Sequence, residues 1–189
     1  INELLIYLKV KYSVDEICKL FENGSEQTKK YLNEKFTEEP IHEVENAIES
    51  TKKKRNQSKI DAYKFGTQLY NENKVNLEQL KKILATNDLN YKLLADNLAK
   101  EIMQCGIDYF NASEKNNSKE EYLENALTLN RIADSIAVGK LTKDGAKDHI
   151  ATLEEMKDQV LSEVIIVLQS VKDLYLENEK NIRQQIRHL

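Results

Sequence analysis

The sequence has one proline, five glycines, two cysteines and no tryptophan in 189 residues. Each shortage removes a class of fold or function. An all-β sandwich or barrel needs Gly, Pro, Asn and Asp for many tight turns. A doubly wound α/β fold carries Gly-rich βα loops. Neither fits this composition. Cys18 and Cys105 lie far apart in the chain, and neither belongs to a CxxC or Cys/His cluster, so no zinc site is expected. Both sit among apolar residues and read as small buried hydrophobes in a reducing compartment, which places the protein in the cytoplasm. The longest aliphatic run, Val164 to Leu168, is far too short to span a bilayer, and no signal peptide is visible. Positive charge is not in excess either: 28 basic against 32 acidic residues leave a net charge of −4, which argues against indiscriminate nucleic-acid binding. The chain opens on Ile1 rather than Met, which reads as a fragment or a processed form.

What is present is helical pattern from end to end. Asn2 to Leu8 is a short apolar start. Ser13 and Glu16 have the spacing of a capping box, opening a helix with Ile17, Leu20 and Phe21 on one face. Asn23-Gly24 ends it, glycine accepting the left-handed conformation that follows many helices. Ser25 caps a second short helix whose apolar side is Tyr31, Leu32 and Phe36. Pro40, the sole proline, opens or precedes the next helix, which carries Ile41, Val44 and Ile48. Between Thr51 and Lys59 there is no apolar residue, so either one helix crosses solvent or the chain breaks there. This divides the chain into an N-terminal short-helix region, 1–55, and a helical-hairpin region, 56–189.

Ala62, Phe65 and Leu69 resume the apolar spacing, and a short helix is expected near Leu77 to Ala85. After a break at Thr86-Asn87-Asp88, residues Leu94, Leu98, Ile102, Cys105 and Tyr109 recur at spacings of three and four and line one face. Asn111 to Ser118 reads as a loop, and Ser118 with Glu121 as a second capping box. The helix that follows shows Tyr122, Ala126, Leu129, Ala133 and Ile136 and stops at Gly139. Thr142 is placed to cap a last, long helix from about Lys143. In it Leu161, Leu168, Tyr175, Ile182 and Leu189 recur every seven residues. Val164 and Val171 fill the alternate seam, which Asn178 and Gln185 continue. Such a seam either lies inside the chain's own core or pairs with another helix.

The fold expected is all-α: an antiparallel helical bundle or helical-repeat-like array with a long C-terminal helix. Ile102, Gly106, Tyr109, Ala126 and Ala133 resemble one unit of the tetratricopeptide-type repeat, over residues 91–139. In that family a small residue followed three positions later by Tyr lies on the first helix, and two Ala seven apart lie on the second. The resemblance implies close packing of two antiparallel helices and a protein-binding role; an ordinary amphipathic hairpin is the alternative. Residues 13–36 resemble a helix-turn-helix, with Cys18 where a small residue packs the two helices. Its lysines are offset by acidic residues, so the positive footprint of a DNA reader is missing.

Catalytic and metal motifs fail on inspection. Glu39-Pro40-Ile41-His42 has the Glu-x-x-His spacing of helical di-iron bundles, but it occurs once and contains proline. His42 begins a zinc-protease-like segment whose second ligand position holds Asn46. Asp148-His149 reads as a solvated pair. With His188 these are the chain's three histidines. No phosphate-cradling GxxxxGK[ST] loop occurs. Lys52, Lys53, Lys54 and Arg55 with Lys59 form the one basic cluster, expected to be a solvated face. The sequence therefore reads as a non-enzymatic, cytoplasmic protein-interaction or scaffolding module without cofactor, metal or evident small-molecule ligand. Its partner would be a protein, itself included, met in a helix groove or along the seam Leu161, Val164, Leu168, Val171, Tyr175 and Ile182. The alternative is a nucleic-acid-associated regulator using residues 13–36.

Overall fold

The computed structural model describes residues 7–8, 12–84, 86–113 and 119–187. Among these there is no strand. The helices are α1 (Val14–Leu20), α2 (Glu26–Asn33), α3 (Glu39–Gln57), α4 (Ala62–Leu84), α5 (Leu89–Ser113), α6 (Lys119–Ile136) and α7 (Lys140–Arg187), with a π-helical turn, Glu34–Glu38, joining α2 to α3. The Asn2–Leu8 start, Ala85, and the capping box at Ser118 fall wholly or largely outside the described residues.

Local chemistry sets most of the boundaries. At the start of α1 the Ser13 hydroxyl accepts from the Glu16 amide at 3.4 Å, and the Glu16 carboxylate accepts from the Ser13 amide at 2.7 Å. That backbone hydrogen bond, followed by the one from the Ser13 hydroxyl, lowers the Glu16 pKa. Ser25 caps α2 through its hydroxyl alone, which accepts from the Thr28 amide at 3.2 Å. Gly24 is required for space rather than for a left-handed backbone: a Cβ there would lie 2.9 Å from the Phe21 carbonyl oxygen.

Pro40 stands in the first turn of α3, as the sequence pattern predicts, and the π-helical turn joins that helix to α2 without a loop. Proline lacks the amide that would satisfy a carbonyl in the preceding turn. Here the Gln79 side chain of α4 donates to the Phe36 carbonyl at 3.4 Å and takes the missing partner's place. The helix runs through most of the polar stretch after Thr51, and the chain breaks only at its end, Ser58. α3 continues to Gln57, through the expected region boundary at residue 55, and Thr51 and Arg55 point inward. The segment 77–84 likewise belongs to a single helix, α4.

The long helices run antiparallel in sequence, each packed on its neighbour. Asn76 of α4 donates to Glu43 of α3 at 3.0 Å. Gly66 of α4 lets Cys105 of α5 approach: a Cβ would come within 2.9 Å of the Cys105 Cβ and 3.1 Å of the Leu129 methyls. Gly106 of α5 does the same for α6, where a Cβ would lie 3.3 Å from the Ala126 carbonyl oxygen. A core of Val44, Leu69, Leu80, Leu98, Ile102 and Leu129 runs through α3 to α6. Ile17, Leu32 and Phe36 form a separate small core under α1 and α2.

The start of α7 differs from the expected Thr142 cap. Asp96, reaching across from α5, accepts from the amides of Val138 and Gly139, each at 2.9 Å. The carboxylate lies so close to Gly139 that a Cβ would collide with it. Thr142 is buried one turn inside the helix. A residue 42 positions upstream thus fixes the turn that leads into α7, satisfying the two amides just before the helix and meeting its positive end with a negative charge.

Candidate interaction surface

Helix α7 has 48 residues, about 72 Å at 1.5 Å per residue. Its first half is docked. Leu153 is buried and Ile150 and Val160 partly so, against Leu123 and Leu127 of α6, and Ala146 is buried in the main core. Lys157 pairs with Glu124 at 2.6 Å and Arg131 with Glu154 at 3.0 Å, fixing the antiparallel register of α6 on α7. These pairs are largely exposed and add little energy, but they specify alignment.

Beyond Val160 nothing described in the chain covers the helix. Leu161, Val164, Leu168, Val171, Tyr175 and Ile182 are all exposed, from 49% at Val164 to 71% at Tyr175. The structure thus brings these six residues to one stripe and leaves it bare; Leu189 lies outside the described residues. Ile165, Ile166, Val167, Leu174, Leu176 and Ile186 are exposed as well. The seven-residue seam does not include them. The signal that finds them is the run Val164 to Leu168: successive helical residues turn by 100°, so apolar side chains at consecutive positions wrap the whole circumference. The two serines here place no hydroxyl at risk, since Ser162 and Ser170 donate to the carbonyls of Asp158 and Ile166.

A second constellation lies in the body. The Arg55 guanidinium forks onto Glu101 at 2.8 and 3.3 Å and also holds Asp108. All three are buried at 6–7% exposure. Gln104 donates to Asp108 at 3.2 Å, and Lys59 stands 3.7 Å from it. The hydrogen bond to Glu101 is the foremost reason that the Arg55 pKa is raised, with Asp108 adding to it and burial opposing it. Arg55 therefore leaves the basic cluster expected on a solvated face. Lys52 stays outside, 3.8 Å from Glu49. Beside this cluster a cleft of about 640 Å³ opens between α3 and α5, lined by Glu45, Glu49, Lys52, Lys100, Glu101 and Gln104. Its charges are of mixed sign, and Ile48 is the one large apolar side chain among its lining residues, where small-ligand pockets are predominantly apolar.

Cys105 sits next to the ion cluster, and burial, with the nearby Glu101 charge, pushes its thiol up to about 12. A thiol held protonated is a poor nucleophile. His42 is exposed and 3.2 Å from Glu45, while Glu39 is paired with Lys35. Among the described residues no group of three or more His, Cys, Asp or Glu is placed to hold a metal ion, and no helix is long and apolar enough to cross a membrane. In the segment resembling a helix-turn-helix, Lys29 pairs with Glu26 at 3.3 Å. In the segment resembling a repeat hairpin, Tyr109 packs between Tyr63 and Tyr122, with ring centroids 5.5 and 5.9 Å away. Neither a protein-family model, a curated protein nor a solved structure matches the chain.

Proposed function

We propose that the protein is a non-enzymatic interaction or scaffolding module: a helical body that carries a projecting helix, α7, for pairing with a partner protein. The observation behind this reading is the bare apolar stripe from Leu161 to Ile186, more than half exposed at most positions. A continuous apolar surface of this length on a soluble body marks a contact site. An isolated helix of this size is also only marginally stable in water, so its far half gains order from what it binds. The α5–α6 hairpin supports the repeat-like side of the reading, because Gly106 and Ala126 bring the two helices close and Tyr109 fills the space beside them.

Amide hydrogen exchange tests the proposal. The amides of 140–160 should be protected in the monomer, whereas those of 165–187 should exchange rapidly until a protein partner binds. Slow exchange throughout 165–187 in a monomer of confirmed mass would show that the far half packs on its own chain, and the proposal would fail.

A further inference from the structure

We propose that the projecting half of α7 pairs antiparallel with the same segment of a second copy of this chain, with Val171 facing the partner's Ile182 and Lys172 beside the partner's Glu179. This rests on reading α7 as an interaction helix, and it names the occupant and its orientation.

The seam supplies the register. Leu161, Leu168, Tyr175 and Ile182 occupy one line of the heptad, and Val164, Val171, Asn178 and Gln185 the other. In an antiparallel pair the first line of one helix faces the second line of the other, whereas in a parallel pair each line faces itself. Parallel pairing would stack Asn178 on the partner's Asn178 and Gln185 on the partner's Gln185, two polar layers in the distal half. Antiparallel pairing sets Tyr175 against the partner's Asn178 and Leu168 against the partner's Gln185. No layer is then polar on both sides.

Charge supplies the orientation. Residues 161–179 carry Glu163, Asp173, Glu177 and Glu179 against Lys172, whereas 180–187 carry only Lys180, Arg183 and Arg187. A parallel pair would lay the two basic ends side by side. An antiparallel pair sets the two basic ends apart, each alongside residues 166–173 of the other helix, and opposes the two helix dipoles favourably. The flank of the seam agrees. Lys172 meets the partner's Glu179, whose carboxylate is already oriented by Arg183 at 2.6 Å, and Ile165 meets the partner's Ile186. Both contacts occur twice by symmetry. Sliding the helices by one heptad layer would put Lys172 beside the partner's Lys172.

Length fits as well. In this register the partner's helix end reaches only to about Val164, just short of the docked half that ends near Val160. The bodies lie at opposite ends and do not collide. The seam and its flanks engage about fourteen residues a side, below the roughly 20–30 of an ordinary stable interface. The dimer is therefore reversible and concentration-dependent.

The test is a charge exchange in the full chain, read by light scattering and sedimentation from micromolar to submillimolar concentration. Wild type should pass from monomer to dimer. Lys172→Glu and Glu179→Lys are surface changes that leave the body folded. Alone, each places two like-charge pairs in the dimer and should raise its dissociation constant roughly tenfold or more. Mixed in equal amounts they restore both opposite-charge pairs, and the mixture should dimerise like wild type. A wild-type dimer insensitive to the mixing, or a parallel one, overturns the proposed pairing while leaving α7 an interaction helix. A wild-type monomer at every concentration with a rapidly exchanging far half overturns the second copy as occupant. A monomer with a protected far half overturns both this pairing and the reading beneath it.

Discussion

The two halves of α7 belong to one unbroken helix and meet opposite fates. Before Val160 the residues Ala146, Ile150 and Leu153, at spacings of three and four, form one side that lies against the body, while Leu141 is exposed. Leu153 is left 8% exposed. From Leu161 onward apolar side chains occupy consecutive positions, and Leu161 itself is 58% exposed. A stripe about 100° wide can be satisfied by one neighbouring helix. A wider one exceeds what a single neighbour covers, and this body offers the far half none. The contrast teaches that a helix is buried only as far as the body offers its apolar face a neighbour.

The largest effect should come from the docked body, in the buried ion cluster. Arg55→Ala leaves Glu101 and Asp108 buried without their cation, and an uncompensated buried charge costs about 3–5 kcal/mol. Denaturant titration should show that loss as a lower midpoint at unchanged slope. Arg55→Lys should recover part of it, because a point charge meets one carboxylate but cannot fork across both. Association through α7 should be unaffected in either variant that still folds. An unchanged midpoint in Arg55→Ala would mean that the cluster does not tie α3 to α5.

The comparison of the two halves is sharpened by truncating one leucine in each. Leu153→Ala removes a buried side chain between α6 and α7 and should cost about 2–3 kcal/mol of unfolding free energy. Leu168→Ala removes an exposed one and should stay within about 0.5 kcal/mol for the monomer while weakening association. Chemical denaturation at low concentration measures the first quantity, and light scattering at high concentration the second. Equal costs in the two variants would erase the distinction between a docked and a projecting half.

How far the sequence showed this in advance depends on which force set each feature. Local hydrogen bonding was legible: Ser13 with Glu16, and Ser25, cap where their spacing predicts. So was one-sided burial, since Leu94, Leu98, Ile102 and Cys105 all lie in the core. Features made by residues distant in sequence were not. Asp96 fixes the turn into α7 from 42 residues away, and Gln79 reaches the Phe36 carbonyl from 43 away. Arg55 resembled its neighbours Lys52 to Lys54 because composition cannot show which way a side chain turns. A trace of the ion cluster was nonetheless present. Glu101 and Asp108 lie seven apart on the face that Ile102 and Cys105 share, and carboxylates among inward-facing residues call for a buried cation. For the seam, the spacing marked Leu161 to Ile182 as one stripe but left open whether the chain itself would cover it.

The smallest effect separates the halves by pH. Glu124 of α6 accepts a hydrogen bond from Lys157 of α7, and that bond, together with the Lys157 charge and the more distant Arg131, holds its carboxyl below the ordinary value of 4.5. A carboxyl whose folded pKa is depressed stabilises the fold above its unfolded value, and that contribution is lost as the pH falls through the folded one. The pair is nearly half exposed, with side-chain exposures of 43% and 47%, so solvent and salt screen it. After that screening Glu124→Gln should lower unfolding free energy by about 0.5 kcal/mol at neutral pH. The difference from wild type should shrink as the pH falls below 4.5 and on through the lower folded value, where the wild-type carboxyl becomes neutral too. High salt at neutral pH should shrink it too. The tie acts only on the docked half, so hydrogen exchange of residues 165–187 should be the same in both proteins. A difference that persists undiminished in acid would mean that Glu124 acts through packing rather than through its charge on Lys157.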